Sequence, residues 1–138
     1  MSFDLYIQCF ENGEPAGLSR DLIRKAFGAS VSEPEENYWQ LVFGARDSCS
    51  LSLSPLEQSE AKVHNITVER PCSDARFWQG LARLLTHGHT VLYFPGCSGP
   101  LLFNPSAAGH MPPDMLEALG DPVIVTSGAD ILRSVAAA

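Results

Sequence analysis

The chain has 138 residues, of which 45% are hydrophobic, and its formal net charge is −7. This length and composition predict one domain, residues 1–138, with a core of its own, and argue against global disorder. The acidic balance argues against direct binding to nucleic acid, because phosphate recognition needs clustered lysine and arginine. No run of about 18 apolar residues occurs, so no membrane-spanning helix is predicted.

The first third begins with a strand and a helix. Residues 3–9 alternate apolar and polar side chains, which predicts a half-buried strand. This segment carries an acid and no basic stretch, unlike a signal peptide, so a cytoplasmic location is expected. Ser19 is placed to cap a helix over residues 20–27, and Gly28 ends it.

Loops and strands follow. Residues 32–37 hold three glutamates and a proline and are expected to form an acidic loop. Two strands in hairpin order are predicted over residues 38–43 and 48–54, the second alternating serine with apolar residues. Residues 55–61 are then expected to form a loop, and residues 63–69 a further strand.

These strands predict one polar and one apolar sheet face. The polar face displays Gln40, Ser50, Ser52, Asn65 and Thr67. It could serve as a binding platform, or it could be a solvated sheet face of the ordinary kind. His64 falls on the apolar face of its strand and is expected to be a core histidine.

Residues 63–96 are expected to organise the fold as strand, helix and strand. Ser73 or Asp74 can cap the helix, and Gly88 suits a left-handed cap at its end. Residues 91–94 predict a short buried strand. The helix carries a wide apolar stripe made of Phe77, Trp78, Leu81, Leu84 and Leu85.

The last third predicts small elements. Residues 104–113 are expected to form a loop, residues 114–119 a short helix, residues 123–125 a strand and residues 129–136 a terminal helix. No repeat or linker divides the chain. The order of elements predicts an α+β fold, with helices packed on one face of a mostly antiparallel sheet.

The cysteines and histidines do not form a metal motif. Cys9, Cys49, Cys72 and Cys97 occur singly, without a C-x-x-C pair, and in a cytoplasmic protein they are expected to be reduced. His87 and His89 flank a glycine at a helix end, and no carboxylate or cysteine pattern accompanies them. No metal and no cofactor is therefore expected.

Cys97 is the best candidate for a catalytic residue. It follows a strand and lies in a turn rich in glycine, where backbone amides can be exposed. A nucleophilic cysteine needs a nearby base, and His87, His89 and His110 are near it only in sequence. A tight structural turn is the simpler interpretation, so a cysteine-dependent enzyme remains the alternative hypothesis.

Three stretches, FDLYIQCF, SEPEENYWQLVF and ERPCSDARFW…TVLYFPG, resemble small uncharacterised bacterial proteins. Small acidic α+β proteins of this type are similar in size, charge and lack of catalytic residues to immunity proteins, which bind and block a toxin made by the same cell. The resemblance implies an inhibitor with a protein partner, and no site residue is carried over from it.

The charge is uneven along the chain. Residues 1–69 carry eleven acidic and five basic residues, against five and four in residues 70–138. An acidic surface steers a basic protein partner, such as a toxin domain, although it could equally serve solubility alone. A self-associating structural domain is a third hypothesis. The residues expected to bind a partner are Glu33, Glu35, Glu36, Glu57 and Glu60.

Overall fold

The computed structural model describes residues 3–138. The strands are β1 (Leu5–Glu11), β2 (Glu14–Ala16), β3 (Leu18–Ser19), β4 (Val31–Glu35), β5 (Tyr38–Gly44), β6 (Asp47–Leu56), β7 (Ser59–Glu69), β8 (Thr90–Tyr93), β9 (Leu101–Leu102) and β10 (Val123–Ile124). The helices are α1 (Arg20–Phe27), α2 (Ala75–Leu85), α3 (Pro113–Leu119) and α4 (Gly128–Ala136), with short 3-10 helices at Gly28–Ser30 and Pro105–His110.

The described strands form one sheet in the order β10-β9-β8-β1-β7-β6-β5-β4. β1 lies in the middle, where Ile7 faces Ile66 of β7 on one side and Leu92 of β8 on the other. Strands β9 and β10 run parallel, and their neighbours run antiparallel. The predicted α+β fold with a mostly antiparallel sheet is confirmed.

The main core lies between the sheet and helices α1, α2 and α4. The apolar stripe predicted for α2 is buried, with Phe77, Leu81 and Leu84 fully enclosed. Asp74 is the residue that caps α2, because its side chain accepts the Arg76 amide. Ser19 caps α1 as predicted, by accepting the Asp21 amide.

The opposite face of the sheet has two parts. Near β8 and β9 it carries a second, smaller core, covered by α3 and by the 3-10 helix at Pro105–His110, a segment expected to be loop. Toward β5 and β6 it is open and polar. There Gln40 pairs with Ser50, and Ser52 pairs with Thr67, as expected for the polar face.

No helix among residues 3–138 is long and apolar enough to cross a membrane.

The loop predicted over residues 32–37 is wrong in its first part. Residues Val31–Glu35 form β4, which pairs with β5 at the edge of the sheet, with Val31 opposite Leu41. An edge strand can hold Pro34, because proline there need not donate to a ladder on its open side. The turn is confined to Glu36 and Asn37.

The loop predicted over residues 55–61 is also mostly strand. β6 runs on to Leu56 and β7 begins at Ser59, so the turn is Glu57–Gln58. A β-bulge follows: Asn65 faces Ser54, but Val63 faces Pro55, which leaves His64 as the extra residue. The prediction of a core histidine is therefore wrong, since the bulge buries Val63 and leaves His64 partly exposed.

Candidate functional site

The predicted partner-binding glutamates lie at one end of the sheet. Glu35 and Glu36 are at the β4–β5 turn, and Glu57 and Glu60 are at the β6–β7 turn. All four residues are exposed. Within residues 3–138 none of their carboxylates forms an ion pair, so their charges face solvent.

Arg20, the first residue of α1, holds the two turns together. Its Nη1 donates to the Glu36 carbonyl and its Nε donates to the Glu60 carbonyl, both at 2.7 Å, while Nη2 donates to Asn37 Oδ1 at 2.6 Å. The side chain is buried. Because guanidinium nitrogens are fixed in one plane, a single residue positions both acidic turns.

Glu33 differs from the other four glutamates. Its carboxylate accepts two hydrogen bonds from Arg24, each 2.8 Å long, and Arg24 lies over the Trp39 ring at 4.9 Å. The hydrogen bond from Arg24 lowers the pKa of Glu33 below its ordinary value. Glu33 therefore carries a compensated charge and contributes less to the field at this end.

A cleft of about 470 Å³ opens at the same end. It forms where β1 leaves β7 to pair with β2, and where β7 bulges. The residues that line it include the acidic Glu14 and Glu57 and the apolar Leu56. The full lining is Glu14, Pro15, Pro55, Leu56, Glu57, Gln58 and His64.

We call the surface made by Glu14, Glu35, Glu36, Glu57 and Glu60, with this cleft, the acidic end. All five carboxylates are on exposed residues. Of the basic residues nearby, Arg20 and Arg24 are engaged as described, and Lys62 of β7 is exposed. The arrangement presents concentrated negative charge around a concavity with apolar walls, which suits a cationic side chain with an aliphatic stem.

The polar sheet face is a second, shallower surface. Tyr38 donates to Ser50 Oγ at 2.8 Å, and Asn65 donates to Thr67 Oγ1 at 3.1 Å. A depression of about 350 Å³ lies over Gln40, Ser50 and neighbouring residues. Two side-chain hydrogen bonds on an open polar surface are what a solvated sheet face ordinarily shows.

Cys97, the alternative catalytic residue, is half-buried between two cavities of about 230 and 330 Å³. The larger cavity is lined in part by Tyr6 and Tyr93, whose stacked rings have centroids 5.3 Å apart. Burial, together with Tyr6, raises the pKa of Tyr93. No histidine lines either cavity, so the described residues place no imidazole base beside Cys97.

Two of the histidines are engaged with each other. The rings of His89 and His110 stack with centroids 3.6 Å apart, and His110 Nδ1 accepts the Asn12 amide at 3.0 Å. His87 is exposed. Across residues 3–138, no group of three or more His, Cys, Asp or Glu residues is placed to hold a metal ion.

The sequence does not indicate Arg20 or Glu14 for this end, and it places His64 in the core instead of the cleft. Arg20 follows a capping serine, and nothing in the local pattern indicates contacts with residues 36, 37 and 60. Glu14 reaches the cleft because the sheet splits, which is a non-local event. A bulge at His64 has no signature in an alternating pattern.

No family model, no curated protein and no solved structure matches this chain. The resemblance to immunity proteins therefore stays a prediction.

Proposed function

We propose that this chain is a non-catalytic protein-binding module whose acidic end binds a basic surface of a partner protein. The observation that carries the proposal is the fixing of both acidic turns by the buried Arg20. Like charges repel, so turns bearing them tend to separate unless the fold holds them in place. Because the fold holds both turns in place, their negative electrostatic field is present before a partner binds.

Pre-organisation favours tight association. Side chains and loops that must be ordered on binding cost free energy, at roughly 0.5–1.5 kcal/mol for each flexible side chain. The turns at Glu36–Asn37 and Glu57–Gln58 are short, and Arg20 anchors the backbone at Glu36 and at Glu60, two residues beyond the second turn. The partner consequently meets a surface whose main chain is already in place.

The lining of the cleft supports a cationic side chain as the part of the partner that binds there. Pro15, Pro55 and Leu56 offer apolar contact to a side-chain stem, and Glu14 and Glu57 offer carboxylates to its charged head. Lysine and arginine have this combination of stem and cation. We propose that one such side chain of the partner inserts between β2 and the β6–β7 turn.

The specific form of this proposal is an immunity-type inhibitor acting in the cytoplasm. The acidic end would occlude the basic site of a bacterial toxin and so prevent it from reaching its substrate. Support comes from the net charge of −7 and from its concentration at one end of the sheet. Charge complementarity also speeds association, which an inhibitor of a lethal enzyme requires.

The test uses three immobilised baits: the wild-type protein, E36K/E57K, and a control, E117K/D121K. The two variants add the same positive charge, but Glu117 and Asp121 are exposed residues in or beside α3, outside the acidic end. Each bait is exposed to a lysate of the source organism. We expect a basic protein to be retained by the wild type and by the control, but not by E36K/E57K. Its association rate with E36K/E57K at low salt should fall about 10-fold or more.

Equal retention of the same partner by all three baits would show that the acidic end is not the binding surface. The inhibitor form has a separate test, because the retained protein should be toxic when expressed alone and harmless when co-expressed with the wild-type chain. A partner that is not toxic contradicts that form and leaves the binding module intact.

A further inference from the structure

Two of the four cysteines lie against each other in the core. The Cys72 thiol donates to the Cys49 sulfur across 2.8 Å, and the two residues are only 3% and 5% exposed. Cys49 belongs to β6, and Cys72 belongs to the loop that joins β7 to α2. Residues 23 positions apart in sequence are thus joined by a contact between sulfur atoms.

Asp47 fixes the geometry of this pair. It lies two positions before Cys49 in β6, and alternate residues of a strand point to the same face. Its carboxylate oxygens accept the amides of Ser73 and Asp74, at 2.7 and 2.8 Å, immediately after Cys72. The loop is therefore held to β6 at three consecutive residues.

We propose that Cys49 and Cys72 form a redox-active pair, which a hydroperoxide converts to a disulfide within the folded protein. The inference rests on the contact between the two sulfur atoms and on the hydrogen bonds that Asp47 accepts from the loop. It is independent of the proposed function. In this state the loop before α2 becomes covalently attached to β6.

The chemistry balances with hydrogen peroxide as oxidant. The Cys49 sulfur attacks one peroxide oxygen, so an S–O bond forms, the O–O bond breaks, and the departing hydroxide takes the Cys49 proton as water. The Cys72 sulfur then attacks the Cys49 sulfur. An S–S bond forms, the S–O bond breaks, and the second hydroxide leaves as water with the Cys72 proton.

The order of the two cysteines follows from their surroundings. The hydrogen bond to Cys49, then burial, and then the nearby charges of Cys49, Asp47 and Asp74 raise the pKa of the Cys72 thiol well above its ordinary value. Cys72 therefore keeps its proton, and Cys49 reacts first. Because Cys72 is already in contact, the sulfenic acid at Cys49 is trapped before further oxidation.

The experiment oxidises the reduced full-length protein with hydrogen peroxide near neutral pH, blocks free thiols by alkylation, and maps the peptides by mass spectrometry. We expect a Cys49–Cys72 disulfide with Cys9 and Cys97 not joined to either. The thermal midpoint should rise by about 10 °C and return on reduction, because the bond restricts the unfolded chain. The C9A/C97S variant should behave identically, and C72S should show no rise.

Mapping on the wild type needs no variant to fold. Alkylation of both Cys49 and Cys72 at a peroxide dose that already oxidises Cys97 would overturn the proposal. So would a disulfide linking another pair, or a thermal midpoint that stays constant or falls when the 49–72 bond forms.

Discussion

Arg20 donates from Nε, Nη1 and Nη2 to acceptors on two different turns. Lysine keeps the charge but cannot supply three donors in one plane. We expect Arg20→Lys to lower the free energy of unfolding by about 2–3 kcal/mol, measured by urea denaturation. The control is Arg46→Lys at an exposed position, which should change it by less than about 0.5 kcal/mol. An equal effect of the two substitutions would contradict the role of Arg20.

Asp74 makes the free energy of unfolding depend on pH. Hydrogen bonds from the Arg76 side chain and amide lower the pKa of Asp74 to about 2, from 3.8. A lowered folded-state pKa stabilises the protein above the unfolded value, and this stabilisation is lost as pH falls through the folded value. In Asp74→Asn, a capping oxygen remains but cannot titrate. The stability difference between wild type and variant should therefore shrink between pH 4 and pH 2, as measured by urea midpoints. A stability difference between wild type and variant that stays constant over this pH range would contradict the contribution of Asp74.

Local rules explain which of these residues the sequence could predict. The caps at Ser19 and Asp74 depend on neighbours two positions away, so short-range chemistry suffices to place them. The contacts of Arg20 and the pairing of Cys49 with Cys72 join distant segments. No spacing in the sequence encodes such contacts, so the sequence predicts neither.

Helices α2 and α4 pack so closely that their contact requires a glycine. A Cβ built on Gly128 would lie 2.6 Å from the backbone nitrogen of Gln79 and 2.8 Å from the Trp78 carbonyl oxygen. We expect Gly128→Ala to cost about 1–3 kcal/mol, because backbone atoms must move apart. Gly109→Ala is the matched control, since nothing lies within 4 Å of a Cβ built at that position. Thermal or urea unfolding of both variants checks this, and equal stability would show that α4 shifts at little cost.

Elements with strong periodicity were predictable, whereas those shaped by tertiary context were not. α2 and β6 bury regular apolar patterns, and both lie where the sequence places them. The sequence does not predict β4, because its glutamates and Pro34 are typical of loops, although an edge strand tolerates both. The bulge in β7 displaced His64, since one extra residue reverses the facing of every side chain beyond it.

Burial differs strongly across the molecule, so local stability should differ too. β1 has strands on both sides and buries Leu5 and Ile7, whereas no residue of α3 is buried. Amides of β1 should therefore exchange with solvent only on global unfolding, and those of α3 through local opening many times faster. Hydrogen exchange followed by mass spectrometry measures both regions in one sample. Equal protection of α3 and β1 would contradict this gradient.

The central position of β1 has a consequence for biosynthesis. Of the described strands, β1 leaves the ribosome before the others. Its last residues pair with β2 soon afterwards, but Leu5–Gln8 gains its partners only when residues 59–69 and 90–93 have emerged. During that interval this part of the strand has two open edges, the form most prone to pair with another chain. Contacts between such distant residues also form slowly, because long loops must close first. The first of the described strands to be synthesised is thus enclosed only after β8 has emerged.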